Sequence, residues 1–337
     1  MSARESIIPV FVPHWGCPND CVFCNQRRIT GQREPATAQT VTDAMQQAAA
    51  LPSGAKRQLA FYGGSFTAMP AEQQEALLAA AKAYLDRGEI TSIRLSTRPD
   101  AIDGAVLGCL KHYGVQTIEL GAQSMDDRIL ALAGRGHTAE DVANASRAVK
   151  AAGFQLILQM MTGLPGDSDE GAVETAKKLI ALRPDGVRIY PTVIVKDTAL
   201  CDLWRAGRYR EHSVEDAVRV CARLLPLFER AGIEVLRVGL NPTEELSGGE
   251  AAAGAYHPAL GELVRSRICR SRAEELLAGI APGSRVTLTV GKGKTSQMTG
   301  QHRQNLDHLK ARFALQEIRV RENPASNGEI ITVSVEK

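Results

Sequence analysis

Near its amino end the chain reads GCPNDCVFCNQRR, residues 16–28, which sets thiols at Cys17, Cys21 and Cys24 with three and then two residues between them. Three cysteines are one more than a disulfide needs and one fewer than a closed tetrahedral metal site. Two chemistries suit them. With His14 as fourth ligand they would complete a structural zinc site. Alternatively they hold a four-iron cluster, which usually takes four cysteines, and leave one iron open to a substrate or cofactor. Spacings of four and three would also align the three on one helix face. Gly16 and Pro18 favour instead a loop able to wrap a compact object. The other cysteines are scattered singly: Cys109 and Cys221 read as small buried hydrophobes in helices, and Cys201, just past a strand, as core packing.

Such a loop must be held by something. Short apolar runs alternate with longer amphipathic segments: IIPVFV (7–12), QLAFYGG (58–64), TSIRLST (91–97), VQTIELGAQS (115–124), FQLILQMMTG (154–163), GVRIYPTVIV (186–195) and IEVLRVGL (233–240). Strand-helix alternation implies right-handed βαβ units and a parallel sheet. About six such units precede residue 240, too few for a closed eight-fold barrel. The expected class is therefore α/β, a partial barrel or open sheet over residues 1–240, with active groups on loops at the carboxyl ends of the strands. Composition changes at NPTEELSGGEAAAGAYHP (241–258), a linker or substrate loop in which Tyr256 and His257 either face a substrate or cap the next helix. Residues 259–337 read as a small α+β domain.

Forty basic residues stand against thirty-eight acidic ones, a net charge of +2 that neither demands nor forbids a nucleic-acid partner. Seven singly or locally placed cysteines do not form a secreted disulfide framework. The amino end lacks a signal-peptide pattern and no apolar run reaches the length of a membrane span. A soluble, reducing, cytoplasmic setting without membrane contact is expected.

The C-x3-C-x2-C spacing, with Phe23 just before the last cysteine, resembles the radical S-adenosylmethionine (SAM) superfamily, and the resemblance runs over about residues 7–240. It implies a partial (β/α)6 barrel with a [4Fe–4S] cluster on Cys17, Cys21 and Cys24. YGGSFTA (62–68) is similar to the family's second-strand motif, which implies that Gly63, Gly64 and Ser65 hold the SAM amino group. LGAQSMDDRILALAGRGHT (120–138) resembles the oxygen-independent coproporphyrinogen oxidase-like proteins, which implies that Gln123 and Arg135 contact SAM, the arginine through its carboxylate. MTGLPGDS (161–168) and RIYPTVIVKDTAL (188–200) match the fifth- and sixth-strand motifs, and Phe11 matches an aromatic position beside the cluster. Ser96 stands where relatives usually carry a ribose-binding glutamate, and Gln159 where an acidic residue is common; both retain hydrogen-bonding capacity.

GGSFTA, STRPD (96–100) and RIYPTVIVKDT look most like the subgroup containing the catalytic subunit of the Elongator complex, whose radical SAM domain acts on transfer RNA wobble uridines. The acetyltransferase domain of that subunit is not expected in the eighty residues after the barrel. The resemblance implies reductive cleavage of SAM to methionine and a 5′-deoxyadenosyl radical, which takes a hydrogen atom from the substrate. It also implies an electron donor such as a flavodoxin or ferredoxin. RNA is the favoured substrate, met by the basic segments RSRICRSR (265–272), VGKGKTS (290–296) and QHRQN (301–305), although solvated faces often look the same. The alternative is a coproporphyrinogen oxidase-like enzyme, or a haem or tetrapyrrole carrier, acting on a small molecule. VGKGKTS is no P-loop, because Leu288 takes the place of its first glycine; it reads as a basic flexible loop. The motifs assign no catalytic acid or base.

Overall fold

The computed structural model describes residues 6–12, 17, 19–25, 35–49, 57–241, 246–325 and 331–336. Two compact units divide the chain: Met1–Ser213 with Leu224–Tyr256, and Val214–Arg223 with His257–Lys337.

In the larger unit, seven strands form one parallel sheet: β1 (Ser6–Phe11), β2 (Arg57–Tyr62), β3 (Ser92–Thr97), β4 (Val115–Gln123), β5 (Gln155–Thr162), β6 (Gly186–Pro191) and, as the last, β8 (Glu234–Val238). The expected α/β class is observed, as a curled half-barrel. The strands lie side by side in sequence order, with helices α1 (Ala38–Ala49), α2 (Ala71–Asp86), α3 (Gly104–His112), α4 (Asp127–Leu132), α5 (Ala139–Ala151) and α6 (Asp169–Ala181) in the connections. The curl is evident from one contact. Tyr62 on β2 and Arg188 on β6 are four strands apart, about 19 Å in a flat sheet, yet the Tyr62 hydroxyl lies 3.2 Å from Arg188 Nη2.

Parallel strands covered on both faces read as nearly continuous apolar runs, and β4 shows how polar residues are fitted into one. Ile118, Leu120 and Ala122 are fully buried on one face, while Glu119, Gly121 and Gln123 alternate with them and point inward. Helix starts are fixed by local chemistry: Thr138 and Asp141 form a reciprocal capping box on α5, and Ser168 accepts from the Gly171 amide on α6. After β6 the chain adds β7 (Val193–Val195) and α7 (Ala199–Arg205), in which Cys201 is buried against Ile194, Leu200 and Tyr209. The segment 241–258 carries its own strand, β9 (Ala251–Gly254), paired antiparallel to β7.

Helix α8 (Val214–Arg230) is shared between the units. The smaller unit has a three-stranded sheet in the order β11 (Glu317–Asn323), β10 (Arg285–Gly291), β12 (Thr332–Glu336). Its core joins α9 (Leu260–Leu277) to that sheet through Leu277, Leu288 and Leu309. The expected flexible loop at 290–296 is instead a turn running into a short helix, α10 (Thr295–Thr299). Buried Asn305, at the start of α11 (Gln304–Arg312), donates to Ser266 and to the Gln297 carbonyl and holds this helix down. His257 Nδ1 accepts from the Ala259 amide just ahead of α9, the capping role of the two offered by the sequence. Residues 257–337 carry thirteen Lys and Arg against eight Asp and Glu, so the near-neutral total conceals a basic carboxyl-terminal part. Among the described residues no helix is long and apolar enough to cross a membrane.

Candidate active site

Every residue to which the family resemblance assigns a cluster or SAM contact lines one cavity of about 280 Å³ in the larger unit. Phe11 ends β1, and Cys17, Cys21, Phe23 and Cys24 follow on a non-helical segment. Gly63, Gly64 and Ser65 follow β2; Ser96 and Gln159 lie on β3 and β5. Gln123 is the last residue of β4, and Arg135 sits between α4 and α5. All but Ser96 and Gln159 are at or beyond the carboxyl ends of their strands, the functional edge of a parallel sheet.

The thiol segment is fastened to the barrel from behind. The Val22 amide donates to the Ala133 carbonyl at 3.0 Å, and the Leu200 amide to the Val22 carbonyl at 2.7 Å. Gly134 and Gly136 both have left-handed backbones, φ 65° and 71°. A Cβ on Gly136 would fall 2.5 Å from the Asn19 side chain, so the Gly-Arg-Gly sequence lets this loop press against the thiol segment. Arg135 is thereby held nearly buried. Its Nη2 donates to the Gly121 carbonyl at 2.8 Å, and Nη1 approaches Cys21 Sγ at 3.6 Å.

Two polar atoms on the cavity wall are buried without a protein partner, Arg135 Nε and Gln123 Oε1. Gln123 has φ 64°, unusual for any residue but glycine, and the β4–β5 register shifts between Gly121 and Gln123. Backbone strain of this kind is expensive and clusters at functional sites. A Cβ on Gly121 would stand 2.7 Å from Arg135 Nη2 and 3.0 Å from Gln123 Nε2, so any side chain there would displace the ends of these two residues.

Arg98, from the STRPD stretch, was not singled out by sequence yet is one of the largest fully buried side chains. It forms a two-pronged ion pair with Asp100, at 2.9 and 2.7 Å, and donates from Nη2 to the Arg135 carbonyl at 2.9 Å. With its oxygen turned toward this arginine, the Asn19 amide accepts from Arg98 Nη2 at 2.7 Å. Burial opposes its charge, but Asp100 and the neighbouring Cys17 more than offset this and raise the guanidinium above its usual range. Ser65 is tied to the same corner, accepting from the Arg98 amide and sharing a hydrogen bond with Thr97. Close by, His137 is buried with Nε2 3.2 Å from the Ala122 carbonyl. Burial, reinforced by Arg135, drives its imidazole down to about 4.

Beneath lies a second group that sequence reasoning missed. Glu119 is wholly buried and accepts from Tyr62 Oη, Arg94 Nη1, Gln159 Nε2 and Arg188 Nε at 2.9–3.0 Å. Burial by itself would raise its carboxyl; Arg188 and Arg94, with their hydrogen bonds, hold it below the usual carboxylate range. Tyr62 is raised, first by burial and then by Glu119. A carboxylate and two arginines inside otherwise apolar strands were the available signal, since charge is buried only when paired.

Among the described residues no three His, Cys, Asp or Glu side chains close on a single metal-ion position. His14, the fourth ligand of the zinc alternative, lies outside the described residues.

Comparison with known proteins places the chain in a family. The family described as the Radical SAM superfamily matches residues 12–179, and that described as the Radical_SAM C-terminal domain matches 184–270. Human (Homo sapiens) Elongator complex protein 3 is 31% identical over 185 residues, 49% of this chain and 34% of that protein. A tRNA uridine(34) acetyltransferase of Methanocaldococcus infernus is 32% identical over 129 residues, 37% of this chain and 24% of that protein. The chain thus matches about a third or less of the length of these relatives. The solved structure of Methanocaldococcus infernus Elp3 with an amino-terminal deletion superposes with a TM-score of 0.63 at 20% identity, covering 85% of this chain and 71% of that one. It shares the fold.

Proposed function

Since the chain belongs to the radical SAM superfamily, we propose that its cavity is the active site of an enzyme that cleaves SAM reductively on a [4Fe–4S] cluster. The observation that carries this reading is the meeting of all three motif cysteines, the Gly63-Gly64 turn, Gln123 and Arg135 on one cavity wall. The residues fit the two groups. Three thiols border a cavity of about 280 Å³, and each of the two neighbouring buried orphans, Gln123 Oε1 and Arg135 Nε, suits a partner the protein does not supply. When bound, a reduced cluster with SAM supplies one-electron cleavage of a carbon–sulfur bond and hence a carbon radical able to abstract hydrogen.

The chain's own residues have distinct tasks in this reading. Cys17, Cys21 and Cys24 hold the cluster. Arg135 orients a carboxylate with a charge-assisted hydrogen bond, and Gly121 leaves room for it. Gly63, Gly64 and Ser65 offer backbone and hydroxyl groups to an amino group. Phe11, Phe23, Pro191, Val193 and Val195 supply the apolar wall that keeps water from a reactive species. His137, neutral at physiological pH, adds no charge behind the arginines.

Transfer RNA is the proposed substrate. Support comes from the likeness to the tRNA uridine(34) acetyltransferase of Methanocaldococcus infernus and from the excess of basic residues in 257–337. The matched part of that relative is only 24% of its length, so the acetyl transfer in its name is not carried over. A small electron-transfer protein such as a flavodoxin or ferredoxin would supply the electron.

The test is anaerobic. The protein is reconstituted with iron and sulfide, given dithionite and SAM with and without transfer RNA, and 5′-deoxyadenosine is assayed beside a Cys24→Ala control. Product from the wild type alone is the expected result. A loaded cluster that binds SAM but yields no product in either mixture overturns the enzymatic reading. For the substrate, binding of transfer RNA should weaken steeply with added salt, and binding that ignores salt removes RNA from consideration.

A further inference from the structure

Three arginines line the cavity, Arg98, Arg135 and Arg188, and among the described residues no Asp or Glu lines it with them. Two have evident work on the thiol side: Arg98 is paired with Asp100, and Arg135 reaches Cys21 and the Gly121 carbonyl. Arg188 is on the β6 wall, beside Tyr62, Gln159 and Tyr190, and its counter-charge, Glu119, also serves Arg94.

Glu119 is shared. One carboxylate meets the guanidinium of Arg94 at 3.0 Å and that of Arg188 at 2.9 Å, and all three side chains are at least nine-tenths buried. Its two oxygens are already taken up by Tyr62 and Gln159 besides the arginines. The buried group therefore carries one surplus positive charge. Arg237, half-buried, is the register partner of Arg188 on β8. Burial raises the Tyr190 phenol, and Arg188 and Arg237 both pull it back. A buried cation without a full counter-charge is costly, and proteins that retain one usually do so for a ligand of opposite sign.

We propose that Arg188, flanked by Tyr190 and Gln159, is an oxyanion subsite: the substrate carries a carboxylate or phosphate group that sits against this arginine while its reacting carbon faces the thiol side. Glu119 and Tyr62 are positioning residues. They use Nε and Nη2 of the guanidinium and so fix its plane. The N–H groups of Nη1 are the ones these contacts leave over, and they are what an oxyanion would meet. The proposal rests on the cavity being the active site and names what its occupant must carry. For a nucleic acid that group is a phosphate; for a small-molecule substrate it is a carboxylate or phosphate.

The experiment uses reconstituted full-length protein with saturating SAM, so that Arg135 is occupied, and equilibrium dialysis against labelled orthophosphate or labelled acetate. The expected result is one saturable equivalent of at least one probe. Arg188→Gln should weaken it tenfold or more. That change leaves Glu119 balanced by Arg94 alone but without the contacts of Arg188, so the paired variant Arg188→Gln with Glu119→Gln, which removes one charge of each sign, is run alongside. It should unfold cooperatively and show the same loss. Saturable phosphate binding without acetate binding assigns a phosphate, and the reverse assigns a carboxylate. No saturable probe on the wild type, or equal binding by the paired variant, overturns the subsite. SAM binding is measured on the same samples. Its absence in the wild type counts against the active-site reading, whereas its presence with failed probe binding counts against the subsite alone.

Discussion

Arg135 Nη1 lies 3.6 Å from Cys21 Sγ, although 114 positions separate the two residues in the chain. The contact brings a guanidinium to a thiol on one side and to the orphaned Gln123 carbonyl oxygen's neighbourhood on the other, with Gly121 leaving the space between. Arg135 is thus the joint between the two halves of the cavity wall. Replacement by Met should preserve the fold while lowering SAM affinity tenfold or more, measured by equilibrium dialysis of the anaerobic protein. Replacement by Lys should recover only part, since an ammonium cannot reproduce the fork. Full affinity in the Met variant would remove Arg135 from the site.

Gly121→Ala tests the same joint from below. The new methyl group would stand 2.7 Å from Arg135 Nη2. Overpacking of this kind costs about 1–3 kcal/mol, and the displaced arginine should also cost SAM affinity. Urea unfolding and SAM dialysis on one preparation check both, and unchanged values would show that the wall yields freely.

Glu119→Ala should be among the most destabilising single changes in the barrel. It leaves Arg94 and Arg188 buried without a counter-charge, and breaking a buried pair in this way costs about 3–5 kcal/mol. Chemical denaturation measures it. The loss should be smaller when Arg188→Gln is added to Glu119→Gln, because one buried guanidinium, Arg94, is then left without a counter-charge instead of two.

His137 gives the barrel a pH dependence of definite sign. In the unfolded chain it gains a proton below about pH 6.5, whereas burial keeps it neutral in the folded state down to about 4. Its contribution is therefore fully present above pH 6.5, is lost as pH falls from 6.5 to 4, and changes no further below. The span corresponds to about 3 kcal/mol. Stability of wild type minus that of His137→Gln, followed from pH 7.5 to 3.5, should trace that loss, and a flat difference would show that the imidazole is free to charge in place.

Thr138→Ala removes the capping box of α5, the helix that follows the Gly-Arg-Gly turn. A stability loss of about 0.5–2 kcal/mol is expected. If the cap also holds Arg135 in place, SAM affinity should fall with it; if stability alone falls, the cap serves only the helix.

Much of this was legible from residue types. The alternation of strand and helix patterns and the spacing of the three cysteines are local signals, and they yield the parallel sheet and the thiol segment at its rim, whereas Arg135 takes its role only from family likeness. Ser96 and Gln159 could be found only through family likeness, because a polar residue in a strand says little by itself about the face it occupies. Glu119, Arg94 and Arg188 were overlooked for a different reason. Each is one charge in a separate apolar run, and their meaning comes from curling the sheet until β3, β4 and β6 face one another. Arg98 was quoted within a motif but given no task, since only Asp100 is a neighbour in sequence and its other partners, Asn19 and the Arg135 carbonyl, come from distant parts of the chain. In the small unit, α10 was read as a loop because glycine and lysine dominate 290–296; the buried Asn305, which holds it in place, acts from ten residues further on.

The Tyr62–Arg188 hydrogen bond spans 126 positions of sequence. Contacts of such separation bear the largest loop-closure cost and form slowly. During synthesis the thiol segment, β1 and β2 emerge well before Arg188 exists, and Glu119 is made with only Arg94 and Tyr62 to meet it. The inner wall is therefore a late product of folding, completed when β6 joins the sheet. A nascent or partly unfolded chain can present its thiols without presenting a cavity, and the maturation of the site has two stages separated in time.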